Sequence, residues 1–378
     1  MTNYRIMVQR WIKNIVVFTA ATVFLTACTE KEFSKDEPLE KTYYASLYIS
    51  SQNQVLYALK PNSGDKLWEI NIGTNLTSSP LVLGDKLILG TDKGLMIIDA
   101  KKGTTISTIA EVKSTQSSPT GEGNIVYIGT DDSKVVAVNL DDNTIKWTFN
   151  TTSAVNSSPT ISNGQVFVAS SNAVYSLDQA SGTKVWEFLP TGGGTFFASP
   201  AIELPYLYIG SNDGNLYTLK VTDGSLAWQY ATTGPIKSSP IVYGGNIIFG
   251  SDDNKIYCID SAAKKERWIY TTTERVVSSP YGYGNVVYVG GFDHTFYALN
   301  VIDGEVKWRY KTNGLIKSSP LAHEGTVYIG SFDKTLYAFD TSGALKWSRD
   351  IDGSIEASPV IFDLQKAFYP SLSGKSLN

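Results

Sequence analysis

A Ser-Pro dipeptide returns along this chain at Pro80, Pro119, Pro159, Pro200, Pro240, Pro280, Pro320 and Pro359, at intervals of 39, 40, 41, 40, 40, 40 and 39 residues. A period that regular means one supersecondary unit copied in tandem, and it limits the possible folds more than any composition value does. A unit opens with a stretch such as KSSPIVYGGNIIFGS (237–251) or KSSPLAHEGTVYIGS (317–331). A polar turn follows, then a second apolar run such as LYTLK (216–220), and in most copies a Gly with a Trp four residues later. Short alternating runs joined by brief turns fill each period of about 40 residues with one four-stranded antiparallel sheet.

One such sheet has two faces and two unpaired edges, and alone it buries too little apolar surface to be stable. Packing copies face to face around an axis covers the faces and leaves only short, protected edges. The fold expected is therefore all-β, an eight-bladed β-propeller of four-stranded antiparallel blades. Aromatic residues at 12%, among them 22 Tyr, with only 18% charged residues, suit such pleated, half-buried surfaces. The repeat starts inside a unit, at YYASLYISSQNQVLYALKPNSGDKLWEI, and stops after a partial one, ASPVIFDLQKAFYPSLSGKSLN. The ring is thus expected to close between N- and C-terminal strands sharing one blade, with residues 47–50 and 367–371 competing for the same place.

Local chemistry explains most recurring positions. Serines ahead of a strand bond backbone N–H groups, and Pro is tolerated at a strand's first residue, so Ser-Ser-Pro reads as a way of starting the innermost strand. The aspartates Asp132, Asp213, Asp253, Asp293 and Asp333 fall in the turn between second and third strands, on separate units, and read as turn residues rather than metal ligands. Cys258, in IYCID, takes the slot held by Ala58, Ala137, Ala298 and Ala338 in other units and reads as a small buried hydrophobe. The two histidines, His294 and His323, lie in separate units and read as surface turn residues. No HExxH, CxxC or GxSxG occurs, and the Gly run 192–194 lacks the Lys-Ser/Thr of a phosphate loop.

The Gly-to-Trp spacing of ALKPNSGDKLW, SLDQASGTKVW and ALNVIDGEVKW recurs at Trp68, Trp147, Trp186, Trp228, Trp268, Trp308 and Trp347. It fails at Ser107, and Asn143 and Lys264 replace the Gly in two copies. This pattern resembles the tryptophan-docking motif of the PQQ-like β-propellers, the family of quinoprotein dehydrogenases and BamB-type outer-membrane assembly lipoproteins. The resemblance spans roughly residues 44–370 and implies that each indole docks on the neighbouring blade, with the Ser107 blade held least tightly. Its enzymes use a PQQ cofactor, a calcium ion, a catalytic Asp and usually adjacent cysteines. With Cys28 and Cys258 far apart, no catalytic, cofactor or metal residue is assigned here and PQQ is not expected.

The first residues read as an address. Arg5, Arg10 and Lys13 precede an apolar run (15–25) too short for an ordinary membrane-spanning helix, and LTAC (25–28) follows. That order resembles the bacterial lipobox, so 1–27 is expected to be a lipoprotein signal peptide, Cys28 the lipidated residue, 28–42 a charged tether and 43–378 a single propeller. Thr29 after Cys28 favours an outer-membrane lipoprotein, with the periplasmic face expected rather than the cell surface.

With 32 basic and 36 acidic residues the chain has no electrostatic footprint for nucleic acid. Recognition is then expected where units depart from the repeat. The linker LPTGGGTFFASPAIELPYLYIG (189–210) brings Phe196 and Phe197, and a polar set precedes the inner strands: Lys237, Glu274, Arg275, Lys317 and Glu356. Phe196, Phe197, Lys237, Arg275 and Lys317 are the candidate partner-binding residues. The resemblance implies a non-enzymatic, monomeric scaffold that binds protein partners of an outer-membrane assembly complex, anchored to the membrane by its lipid. The alternative is a propeller that binds a small ligand, a quinone or a saccharide, in the axial channel.

Overall fold

Apolar runs joined by short polar turns pair with their sequence neighbours, and in the computed structural model they form an eight-bladed β-propeller of antiparallel sheets. The structure describes residues 45–363 and the backbone of 366–368 and 376–377. The signal peptide, Cys28 and the tether lie outside the described residues. Seven blades are continuous in sequence. Blade 6, for example, runs outward through Ile241–Tyr243, Asn246–Ser251, Lys255–Asp260 and Lys265–Thr271. Blade 1 closes the ring: Val360–Asp363 takes the place that the innermost strand has in the other blades and pairs with Ser46–Ser50, with Leu47 opposite Ile361. The two segments left in competition by the sequence do not exclude each other, because Lys366–Phe368 pairs along the other edge of Val360–Asp363, with Phe368 opposite Ile361.

The second and third strands are nearly all buried, and the apolar cores lie between blades rather than within them. Tyr208, Leu216 and Ile236 of blade 5 and its outgoing linker pack with Ile247, Phe249, Tyr257 and Ile259 of blade 6. What holds neighbours in register is a belt of hydrogen bonds around the channel. The amide of Ser79 donates to Ser118 Oγ, and that of Ser118 to Ser158 Oγ, at 2.9 and 3.1 Å. The belt continues through Ser199, Ser239, Ser279, Ser319 and Ser358. It closes where the Ser358 amide donates to Ser79 Oγ at 2.9 Å. The second serine of each Ser-Ser-Pro or Ala-Ser-Pro therefore bonds the blade before it, and does not cap its own strand.

A second belt lies farther out. Trp68, Trp147, Trp186, Trp268, Trp308 and Trp347 donate their indole N–H to backbone carbonyls of Ala100, Gln179, Val221, Val301, Thr341 and Pro61 on the next blade, at 2.8 to 3.1 Å. The last of these bonds crosses the closing seam. Each ring lies over the glycine of the neighbouring turn; a Cβ on Gly182 (φ 72°) would come within 2.5 Å of the Trp147 ring. The glycine is needed both for its backbone conformation and for the space.

The exceptions to the motif are coupled by the same contact. Blade 2 carries Ser107, so the turn facing it tolerates Asn143 at φ 59°. Lys264 (φ 55°) sits in the turn facing Trp228, and no indole hydrogen bond of Trp228 is found among the described residues. Opposite each Trp on the adjacent strand is a small residue: Ala58, Ala137, Ser176, Thr218, Cys258, Ala298 or Ala338. In blade 2 the buried Ile97 stands in that place, opposite Ser107.

Two outcomes are expected. Gly182→Ala should lower stability in urea titrations by roughly 2 kcal/mol or more, while Asn143→Gly, relieving a left-handed non-glycine residue, should raise it by about 0.5 to 1 kcal/mol; equal effects would disprove the ring contact as the reason for the glycine. Cys258 is fully buried and burial pushes its thiol up to about 12. In a Cys28→Ala chain, thiol reagents at mildly alkaline pH should label it only on unfolding; rapid labelling of the folded chain would contradict this.

Candidate functional site at the linker face

Each linker returns over the top of its own blade and is fixed there by backbone bonds to the turn between second and third strands. Asp252, Phe292 and Phe332 donate their amides to the carbonyls of Pro235, Arg275 and Leu315 at 2.8 to 3.0 Å. The aspartates of that turn fasten the linker from the other side. Asp253 accepts the amide and hydroxyl of Thr233 and the hydroxyl of Tyr257, the last at 2.6 Å. Burial would raise its pKa, but the hydrogen bonds from Tyr257 and Thr233 outweigh burial and hold it below the ordinary carboxylate range. Tyr217, Tyr257, Tyr297 and Tyr337 are all raised, first by burial and then by bonding to their aspartates. These carboxylates are therefore engaged within their own blades.

With the backbone fixed this way, side chains in two columns face the channel mouth and are not needed by the core. In the first column, directly ahead of the serine belt, stand Phe197, Lys237, Val277, Lys317 and Glu356 of blades 5 to 8 and 1. In the second, at the turn, six blades carry polar residues: Gln52, Asp92, Asp131, Ser171, Asn212 and Asp252. Blades 7 and 8 carry Phe292 and Phe332 instead. These two rings converge with Val277, Leu315, Lys237, Arg275 and Lys317 around a pocket of about 290 Å³. Apolar groups placed where equivalent blades are polar do not serve the repeat, and their convergence makes this the candidate recognition surface.

The charges around it are not equivalent. Lys237 Nζ pairs with Asp252 Oδ2 at 2.5 Å, and Lys317 pairs with Glu356, whose other oxygen accepts Gln52 Nε2 at 2.9 Å. Arg275 lies with its guanidinium carbon 4.3 Å from the centre of the Phe292 ring, and among the described residues no carboxylate pairs with it. The pocket thus offers an aromatic wall, an apolar floor and one uncompensated cation. Among the described residues the lining of this pocket brings no nucleophile into contact with a base.

The structure separates the residues singled out in the sequence. Lys237, Arg275 and Lys317 meet in this pocket. Phe197 is 46% exposed in the same column, on blade 5. Phe196 is a correction: it is fully buried, in the core position that Ile236, Val276 and Ile316 take in other units, and it packs on Tyr217, so it presents no partner surface. Gly192 and Gly193 have φ 98° and 82° and serve the turn itself. His323 is a second correction. It is not a surface turn residue but lies buried at the end of the innermost strand of blade 8, 3.0 Å from Asp363. Phe292, Phe332, Leu315 and Val277 went unread, although FDHT and FDKT set against SDDN and SNDG already showed the polar-to-apolar change.

Among the described residues Cys258 is the lone cysteine, inside blade 6, Asp252 and Glu356 at the mouth are paired with lysines, and six of the seven motif tryptophans donate to neighbouring blades.

Known proteins place the chain. It resembles BamB of Moranella endobia, 24% identical over 209 residues that cover 48% of this chain and 54% of that one. It also resembles BamB of Shewanella oneidensis, 20% identical over 280 residues, covering 58% and 71%. The chain spans about half the length of the Moranella relative. Among solved structures, BamB from Moraxella catarrhalis superposes with a TM-score of 0.62 at 18% identity, over 78% of this chain and 95% of that one. A quinohemoprotein alcohol dehydrogenase from Pseudomonas putida does so at 0.64 and 13%, over 76% and 69%, so these likenesses speak to the fold alone. The family model described as outer membrane protein assembly factor BamB matches residues 44–106, 94–243 and 235–358. The chain belongs to that family.

Proposed function

We propose that this protein is a non-enzymatic scaffold of outer-membrane β-barrel protein assembly, held at the membrane by a lipid on Cys28, which docks a protein partner on the linker face of blades 6 to 8. The supporting observation is the convergence of Phe292, Phe332, Leu315 and Val277 with Arg275 at positions where the other blades are mostly polar. An aromatic and apolar centre with a cation at its edge and paired charges on its rim has the anatomy of a protein-binding hot spot. The partner segment that fits is extended, carries an apolar side chain for the pocket and an acidic group for Arg275. Family membership supplies the context, an assembly complex at the outer membrane, and the periplasmic face is where such a partner would be met. The body acts as a monomer in this reading, and no PQQ is required.

Arg275→Glu combined with Phe332→Asp should weaken association with outer-membrane assembly proteins by roughly 30-fold, as expected for loss of a hot spot. Both side chains lie outside the blade cores, so the melting temperature should move by no more than about 2 °C. Unchanged co-purification of those proteins with the double variant would refute this docking face. Stabilisation of the wild-type chain by a quinone or saccharide, lost in the variant, would replace the scaffold reading with a small-ligand one.

A further inference from the structure

At the channel end opposite the linkers each innermost strand finishes on one residue. In blades 6 and 7 these are Tyr243 and Tyr283, in blade 8 His323, and in the closing strand of blade 1 Asp363. At this last step, between blade 8 and the C-terminal strand of blade 1, an imidazole meets a carboxylate. His323 Nε2 lies 3.0 Å from Asp363 Oδ2, and each residue is only 9% exposed. Glu324 follows at φ 45°, in the left-handed region where blades 2, 3, 6 and 7 have Gly84, Gly123, Gly244 and Gly284. A glutamate there accepts a conformational cost that glycine avoids. Its backbone sets a third donor beside the pair: the ligand atoms of His323, Glu324 and Asp363 all lie within 4.8 Å of one another.

We propose that these three residues bind a divalent transition-metal ion of the zinc class, which ties the C-terminal strand of blade 1 to blade 8. One imidazole nitrogen and two carboxylate oxygens suit such an ion, whereas calcium and magnesium seek six or more oxygens. A tetrahedral ion with bonds of about 2.1 Å holds its ligands about 3.4 Å apart. The His323–Asp363 contact needs to open only slightly, and the Glu324 side chain to swing inward. Because Glu324 is exposed, it leaves an entry path and a fourth position for water. The ion can bind only when Val360–Asp363 is docked in blade 1, so its affinity adds directly to ring closure.

The test uses a Cys28→Ala chain stripped with chelator and titrated with zinc by calorimetry and thermal unfolding, with cobalt as a spectroscopic substitute. A single saturable zinc site and a raised melting temperature are expected. Glu324→Gln, an exposed change that leaves the His323–Asp363 pair in place, should weaken binding by at least about tenfold. His323→Ala should abolish the cobalt spectrum, and His294→Ala should leave it unchanged. Absence of saturable zinc binding, zinc binding that survives His323→Ala, or preference for calcium would overturn the proposal and leave the pair as a ring-closing hydrogen bond only.

Discussion

Everything in this molecule depends on a backbone amide in one blade finding a serine hydroxyl in the next. The bond is short-range and partly buried, and on its own it contributes about 1 kcal/mol. Its force lies in the cyclic arrangement: the Ser358-to-Ser79 bond has the same geometry as the other seven, so the ring is closed without a strained step. The indole belt repeats the logic at larger radius, where the ring of Trp347 reaches Pro61 across the same seam. Two concentric belts fix both spacing and tilt of each blade. They also explain why the chain tolerates Ser107 in place of a tryptophan, since the inner belt is intact there.

Much of this was legible because a repeat turns eight weak signals into a strong one. Period, strand count and ring closure between the two ends all follow from the Ser-Pro and Gly-Trp spacing. The docking of each indole on the next blade followed from the motif's resemblance, but the serine bonds, whose partners lie a whole unit away, could not be read. The serines looked like strand starters because a local partner is the one that sequence offers; the amide that donates to each hydroxyl stands 39 to 41 residues back, except at the closing bond. For the same reason the paired absences, Ser107 with Asn143 and Trp228 with Lys264, stayed two unrelated defects until the turn of one blade was seen under the ring of another.

The candidate site was half legible. Its cations were visible as charges breaking the repeat, but Phe196 was misread, because a doublet beside a glycine run is conspicuous while its column assignment is not. Counting back from the serine belt puts Phe196 in register with Ile236 and Ile316, which are core, and Phe197 in register with Lys237 and Lys317, which face the mouth. His323 was misread for the complementary reason. LAHEG has the look of an exposed turn, and the carboxylate that the buried histidine meets comes from the next unit, 40 residues on.

These register arguments also separate what the fold requires from what it leaves free. Belts, turn aspartates and the small residues facing each indole are set by the contact between blades, so substitution there is limited by stability. The two mouth columns carry no such load: a position can be Gln, Asp, Ser or Phe with the backbone bonds beneath it unchanged. An apolar cluster at that place gains nothing for folding and exposes surface that water disfavours. A chain bears that exposure without loss only if something covers it, and blades 7 and 8 concentrate it beside the one mouth cation, Arg275, for which no carboxylate partner is found among the described residues. The recognition surface is thus the part of the ring that the packing rules explain least.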